Sequence, residues 1–186
     1  MPLDREEYDR RLAEVEYNAG MNARYHQILE AKYDRYDKAV RVMVAIGAII
    51  GTVFAVPKFE EIFPDSSRLA VALTGFVIAV LSLAAAAILN IVPIAEKAKF
   101  HGEMFRSWSD LRKDAVLAEH KTCAIEPTDF HADRLFELVG KAESLHAQEP
   151  FPDEALLREC QDDENRKRGL GKYVKPTDDA VQPCST

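Results

Sequence analysis

The feature that most constrains this chain is a run of 27 residues without a charge, Leu69–Ala95. A helix of about 20 apolar residues crosses the roughly 30 Å hydrocarbon core of a bilayer. This run is longer, so its helix can tilt or extend into the interface. A buried core helix is the alternative, but core helices rarely lack charge over such a length. The sequence therefore predicts a transmembrane helix over residues 69–95.

A second apolar stretch precedes this run. Residues 39–56 contain one charge, Arg41, and would rise about 27 Å as a helix. The connection between the stretches contains Pro57 and Pro64, which end the first helix and reset the chain. Because the connection is short, two spans joined by it must be antiparallel neighbours. We therefore expect a two-span helical hairpin, with spans at about 39–56 and 69–95.

Lysine and arginine are concentrated outside the short connection. It contains only Lys58 and Arg68, whereas Lys32, Arg35 and Lys38 precede the first span, Arg41 lies at its edge, and five such residues follow the second. Loops rich in lysine and arginine stay on the cytoplasmic side. The N-terminal segment also lacks the apolar stretch of a signal peptide. We therefore expect a multi-pass protein of the cell inner (plasma) membrane with both termini in the cytoplasm.

Heptad spacing of apolar and aromatic residues extends from each span into its flank. It runs from Tyr8 to Met43 before the first span and from Ile94 to Ala118 after the second, where Pro93 is expected to kink the helix. These extensions leave the same membrane face, so they are expected to pack as an antiparallel coiled-coil stalk. The candidate seam of this stalk contains His26, Leu29, Tyr33, His101, Phe105 and Trp108.

Pairing the two membrane exits sets a register for the stalk. It places Trp108 near His26 and His101 near Tyr33. Both histidines then face aromatic residues, which predicts that they are partly buried core residues. A ligand or pH-switch role is the alternative, because histidine can change charge near neutral pH.

Two shorter helices are expected after the stalk. Thr128 is a suitable N-cap for the first and Asp153 for the second, and residues 149–152 form the break. No segment alternates as a strand does, so the predicted fold class is all-α, divided into a two-transmembrane domain (1–148) and a C-terminal helix with a flexible tail (149–186). The apolar stripes are Phe130, Leu135, Leu138, Val139, Ala142 and Leu145 in the first helix, and Ala155, Leu156 and Cys160 in the second.

No catalytic motif is found. The sequence has no phosphate-binding glycine loop, no HExxH and no GxSxG. Cys123, Cys160 and Cys184 lack the CxxC or His/Cys grouping of a zinc site. The net charge of −7 argues against a nucleic-acid partner. We therefore expect no enzymatic activity, no cofactor and no metal ligand.

Small and polar residues mark candidate packing or pore-lining positions in the spans. Gly47 and Gly51 form a GxxxG pair, which lets helices approach closely, either within the hairpin or between subunits. Gly75, Ser82 and Asn90 fall near one stripe of the second span, which suits interhelical hydrogen bonds or a pore lining. Two helices cannot enclose a pore, so a pore would require a homo-oligomer in the lipid bilayer.

These features together resemble the SLATT-domain family, two-span bacterial membrane proteins associated with SMODS and SLOG proteins. The similar parts are the polar helix Arg24–Tyr36, the short span and loop, the longer second span, and the segments Ala95–His101 and Trp108–Arg112. The resemblance covers residues 19–148. It implies a membrane effector that oligomerises and perforates the inner membrane in a nucleotide-triggered conflict or antiphage system. A separate cytosolic nucleotide-signalling or sensor protein would be its partner, because no such domain is fused here.

The predicted stalk supports a second interpretation equally well. A non-enzymatic membrane anchor or scaffold could recruit a cytosolic partner through the same helices without altering membrane permeability.

Overall fold

The computed structural model describes residues 4–54, 65–122, 127–149 and 152–169. These residues form five α-helices and no strand, which confirms the all-α prediction. Most of the predicted outer loop, the tail beyond residue 169, Cys123 and Cys184 lie outside the described residues. The helices are α1 (Arg5–Phe54), α2 (Asp65–Ile91), α3 (Ile94–Thr122), α4 (Asp129–His146) and α5 (Glu154–Lys167).

The chain divides into two compact units. Unit 1 takes the described parts of Met1–Leu29 and Phe100–Thr186, and unit 2 is Glu30–Lys99. Helix α1 therefore contributes its first half to unit 1 and its second half to unit 2. Helix α3 begins in unit 2 and continues in unit 1, while α4 and α5 belong to unit 1 and α2 to unit 2.

The hydrophobic core of unit 1 lies between α1, α3 and α4. Trp108 and Leu111 of α3 pack there with Leu135 and Leu138 of α4. Every heptad position of α1 within unit 1 is buried, because each falls on the helix face that meets these partners. These positions are Tyr8, Leu12, Val15, Ala19, Asn22, His26 and Leu29.

Within unit 1, α1 and α3 run antiparallel. Gly20 lies against Arg112, and His26, later in α1, lies against His101, earlier in α3. The predicted register was wrong at His26, since His101 faces it where Trp108 was expected. The ring of Trp108 instead packs edge-on against His146, at 4.8 Å between centroids. The predicted register assumed that both helices continue without a break past the predicted membrane exits. The helix is broken between Ile91 and Ile94, beside the second exit, so counting residues from that exit does not give the pairing.

In unit 2 the residue of α3 that faces Tyr33 of α1 also differs from the predicted one. The ammonium of Lys97 lies 5.7 Å from the ring centroid of Tyr33, the position predicted for His101.

The C-terminal helices are capped as predicted. The Asp153 carboxylate accepts hydrogen bonds from the Ala155 and Leu156 amides. At Thr128, the imidazole Nδ1 of His131 accepts a hydrogen bond from the Thr128 amide at 3.0 Å. The predicted apolar stripe of α4 was wrong at one residue, since Phe130 is 75% exposed.

Helix α5 adds a charged contact to unit 1. The carboxylate of Glu164, only 1% exposed, receives Arg112 at 2.9 Å, with Lys167 and Arg168 each at 3.5 Å. A Cβ atom at Gly20 would lie 3.0 Å from both Arg112 Nη1 and Glu164 Oε1. Gly20 therefore provides the space in which this ion pair meets α1.

The predicted helix over residues 69–95 is interrupted. Helix α2 ends at Ile91 and α3 begins at Ile94, so Pro93 separates two helices where one kinked helix was expected. Proline lacks the amide hydrogen that a continuous helix needs, and its ring clashes with the preceding turn.

In the described residues, one helix segment is long and apolar enough to cross a membrane. It is Ser67–Leu89, 23 residues with a mean hydropathy of 2.5. The predicted first span is not a second such segment. Its described uncharged part, residues 42–54, rises only about 20 Å, and Asp37, Lys38 and Arg41 directly precede it.

Candidate functional site

Three titratable side chains converge inside unit 1. His26 comes from α1, His101 from α3, and Glu149 from the connection that follows α4. Both histidines are buried, and the Glu149 side chain is 18% exposed. The seam pattern placed both histidines in the helix interface, but the sequence did not indicate that Glu149 joins them.

Hydrogen bonds order the three side chains in a row. The Nδ1 atoms of His26 and His101 are 2.9 Å apart, and His26 Nε2 is 3.1 Å from Glu149 Oε2. A neutral imidazole carries one N–H and one acceptor nitrogen. We assign the proton of His26 to Nε2, which donates to Glu149. Then His101 Nδ1–H donates to His26 Nδ1, and every short contact in the row has a donor and an acceptor.

Tyr25 holds the carboxylate in place. Its hydroxyl donates to Glu149 Oε1 at 3.3 Å and accepts from the Asp153 amide at 2.9 Å. Asp153 is also the N-cap of α5. The connection between α4 and α5 is therefore fixed to α1 through one phenol oxygen, and this fixes Glu149 beside His26.

Burial sets the charge state of the row. Desolvation, followed by the nearby His101 and His146, lowers the pKa of His26 to about 4. Desolvation raises the pKa of Glu149, although the Tyr25 hydrogen bond acts in the opposite direction. At neutral pH the His26 imidazole is therefore uncharged, and its contact with Glu149 is a hydrogen bond rather than an ion pair.

The arrangement offers one ligand-type atom from each side chain, all within 4.8 Å of one another. The sequence predicted no metal ligand, because the three residues lie far apart along the chain and match no short metal-binding motif. Both histidines are buried, as expected of core residues, but that expectation did not include Glu149 beside them. The only signal that could have found it was the heptad seam, which already brought both histidines to one interface.

Unit 2 contains the predicted packing residues of the apolar helices. A Cβ atom at Gly47 would lie 1.6 Å from Ser82 Oγ. That hydroxyl donates to the Ile78 carbonyl at 2.8 Å and lies 3.3 Å from the Met43 carbonyl. α1 and α2 are therefore in close backbone contact at this point.

The other predicted packing positions do not show the close contact that Gly47 makes in the described residues. Gly75 is buried, whereas nothing lies within 4 Å of a Cβ built on Gly51. Asn90 belongs to α2, but its side chain lies outside the described part of the structure. Of the GxxxG pair, only Gly47 makes a close contact in the described residues.

Large apolar side chains point outward from unit 2. Leu83 is 74% exposed and Phe76 is 68% exposed, while the buried positions of α2 are the small residues Gly75 and Ala85. The second half of α1 follows the same pattern. Its exposed apolar residues are Val42, Met43, Ile46, Ile49 and Val53.

Comparison of the chain with protein-family models, curated proteins and solved structures finds no match.

Proposed function

We propose that the chain is a bacterial inner-membrane effector, in which the apolar helical segments of unit 2 lie in the bilayer, and which oligomerises and perforates the membrane when a sensor partner acts on unit 1. The observation that carries the membrane part is the inverted order of unit 2. Small residues such as Gly47, Gly75 and Ala85 lie inside, and large apolar residues such as Phe76 and Leu83 lie outside.

Solvent explains why this order favours lipid. In water, exposed apolar surface costs about 25 cal/mol per Å², and large exposed apolar patches mark interfaces or aggregation sites. In a bilayer that cost disappears, and helices associate by close packing of small residues instead. The 23-residue segment Ser67–Leu89 rises about 35 Å, enough to cross a hydrocarbon core of about 30 Å with some tilt.

The second half of α1 supports a hairpin within the proposal. It packs on α2 at Gly47 and Ser82, and its outer side chains are apolar. Lys38 and Arg41 lie at its cytoplasmic end in this topology, where long basic side chains can extend to the headgroups. In this arrangement both spans cross the membrane and both termini are cytoplasmic.

The effector part depends on the resemblance to SLATT-domain proteins and on a packing position that stays open. Within the part of the chain that the structure describes, nothing lies within 4 Å of a Cβ built on Gly51, which suits contact with a second copy. Ser82 is turned toward α1, so a pore lined by it would require the hairpin to rearrange. Two helices cannot enclose a pore, so this function needs several copies.

A potential-sensitive dye in bacteria that express the chain with its genomic neighbours and their trigger tests the effector directly. Depolarisation is expected, and Gly51→Ile should abolish it while the protein stays in the membrane fraction. Gly140→Ile is the matched control, since Gly140 lies in α4 and has similar open space. An intact potential in triggered cells with wild-type protein would overturn the effector role.

The second candidate is a membrane anchor that recruits a cytosolic partner. The observation that favours it is the exposure of Phe130 and Phe136 on α4, at 75% and 55%. Capture of a partner in a stoichiometric amount, with no loss of membrane potential, would support the anchor over the effector. The substitutions Phe130→Ser and Phe136→Ser should then reduce the amount of partner captured.

A further inference from the structure

We infer that His26, His101 and Glu149 form a binding site for a first-row transition-metal ion of the Zn²⁺ class. The site lies wholly within unit 1, so the inference is independent of whether unit 2 enters a bilayer. It concerns three side chains from three separate elements, all with ligand atoms within 4.8 Å of one another.

The donor set indicates the class of ion. Two neutral imidazoles and one carboxylate suit Zn²⁺, Co²⁺ or Ni²⁺, whereas Mg²⁺ and Ca²⁺ prefer an all-oxygen set. The single carboxylate offsets part of the charge of a divalent ion in a buried place. Three protein ligands leave a fourth tetrahedral position for water or an exogenous ligand.

The separation of the two histidine nitrogens is close to the one that a bound ion requires. Two nitrogens at 2.0–2.1 Å from a tetrahedral zinc are about 3.3 Å apart, and His26 Nδ1 and His101 Nδ1 are 2.9 Å apart. One imidazole gives a single nitrogen to an ion, and Glu149 lies at the Nε2 side of His26 while His101 lies at its Nδ1 side. One of the flanking side chains must therefore shift for all three to bind the same ion, and Glu149 is the partly exposed one. Glu149 lies beyond the end of α4, and its backbone amide donates to the His146 carbonyl. A movement of its side chain alone leaves that hydrogen bond and those within α4 in place.

The surroundings provide orientation and access. Tyr25 donates to one carboxylate oxygen of Glu149 and leaves Oε2 directed at His26, as hydrogen bonds commonly orient metal-binding carboxylates. The Glu149 side chain is the partly exposed member of the set, and the histidine side chains are covered. An ion would therefore enter past Glu149 and take the place of the hydrogen between the two Nδ1 atoms, and the His101 proton would move from Nδ1 to Nε2.

Titration of the full-length, tag-free chain with Co²⁺ tests the site. The chain is stripped with chelator in detergent, and the visible d–d absorption of Co²⁺ reports coordination. We expect one Co²⁺ per chain, displaced by Zn²⁺, and a rise in melting temperature with Zn²⁺. His101→Gln should weaken binding at least 100-fold and Tyr25→Phe about 10-fold. His120→Gln, an exposed histidine of the same helix, should leave binding unchanged.

Glu149→Gln keeps the side-chain volume on the exposed side of the site, so it provides a second ligand variant if His101→Gln fails to fold. It should lower affinity for Co²⁺ about 10–100-fold. Absence of Co²⁺ and Zn²⁺ binding by wild-type protein at equimolar metal would overturn the inference. The inference would also be overturned if His120→Gln removed metal binding while a folded His101→Gln or Glu149→Gln variant kept it.

Discussion

A Cβ atom added to Gly47 would lie 1.6 Å from the Oγ and 2.0 Å from the Cβ of Ser82. No rotation of the serine hydroxyl relieves the second contact, so only glycine permits this approach of α1 to α2. The contact joins the second half of α1 to Ser67–Leu89, the one helix segment among the described residues that is long and apolar enough to cross a membrane.

Replacing Gly47 with alanine should therefore separate the two helices. Alanine favours an exposed helix interior over glycine by about 1 kcal/mol, but overpacking at a tight contact costs about 1–3 kcal/mol. We expect a lower melting temperature in detergent for Gly47→Ala, and an unchanged or higher one for Gly51→Ala, which has open space. Equal effects of the two substitutions would show that the helices do not pack there.

The core of unit 1 depends on Trp108, which is 1% exposed. Truncation of a buried aromatic residue leaves a cavity and costs about 3–5 kcal/mol. Trp108→Ala should lower the free energy of unfolding by that amount. Circular dichroism is the suitable measurement, because the substitution removes the single tryptophan and with it tryptophan fluorescence. Leu117→Ala, an exposed position of the same helix, should change it by less than about 1 kcal/mol. A small effect at Trp108 would contradict the packing of α1, α3 and α4.

Gly20 is expected to behave differently from Gly140. A methyl group at Gly20 meets the Arg112 and Glu164 ion pair at 3.0 Å, whereas Gly140 has nothing within 4 Å. Gly140→Ala should stabilise unit 1 by up to about 1 kcal/mol through helix propensity. Gly20→Ala should destabilise it, because Glu164 is buried and held by three basic side chains. Chemical unfolding of both variants distinguishes these signs, and stabilisation by Gly20→Ala would contradict the close contact.

The thiol of Cys160 should react slowly. Burial, followed by the charge of Glu159, raises its pKa to about 11 from the ordinary 9.0. A raised pKa favours the unreactive neutral thiol, and two pH units leave about 100-fold less thiolate. In a Cys123→Ser, Cys184→Ser background, the rate of alkylation by iodoacetamide should still rise steeply between about pH 10 and 11, around the raised pKa. In denaturant it should level off by about pH 10, one unit above the ordinary pKa, and a plateau by about pH 10 in the native protein would contradict the burial of Cys160.

The elements of unit 1 were largely readable from the sequence. The α1 seam from Tyr8 to Leu29 was predictable because seven side chains recur on one helix face, and the caps at Thr128 and Asp153 follow from local hydrogen bonding. The heptad pattern fixes which face of a helix is buried, but not which turn of the partner lies opposite. That is why His101, one heptad before Trp108, faces His26.

The candidate site could not be predicted from periodicity. Tyr25 and Glu164 are buried although they lie outside the predicted seams, because α5 and the connection before it cover a second face of α1. Glu149 reaches His26 only through this tertiary packing. Charged and phenolic residues at such positions look solvent-exposed in a sequence, and only the packed structure shows that they meet.

The reactivity of a cysteine at Val77 tests whether α2 lies in a bilayer. This side chain is 53% exposed in the single chain, so the fold of one chain does not shield it. In a cysteine-free background, Val77→Cys and the control Glu159→Cys, exposed on α5, are treated with a water-soluble maleimide in broken membranes. If α2 lies in the bilayer, Glu159→Cys is labelled and Val77→Cys is not, until denaturation in detergent exposes it. Equal labelling of the two cysteines before denaturation would show that α2 lies in water.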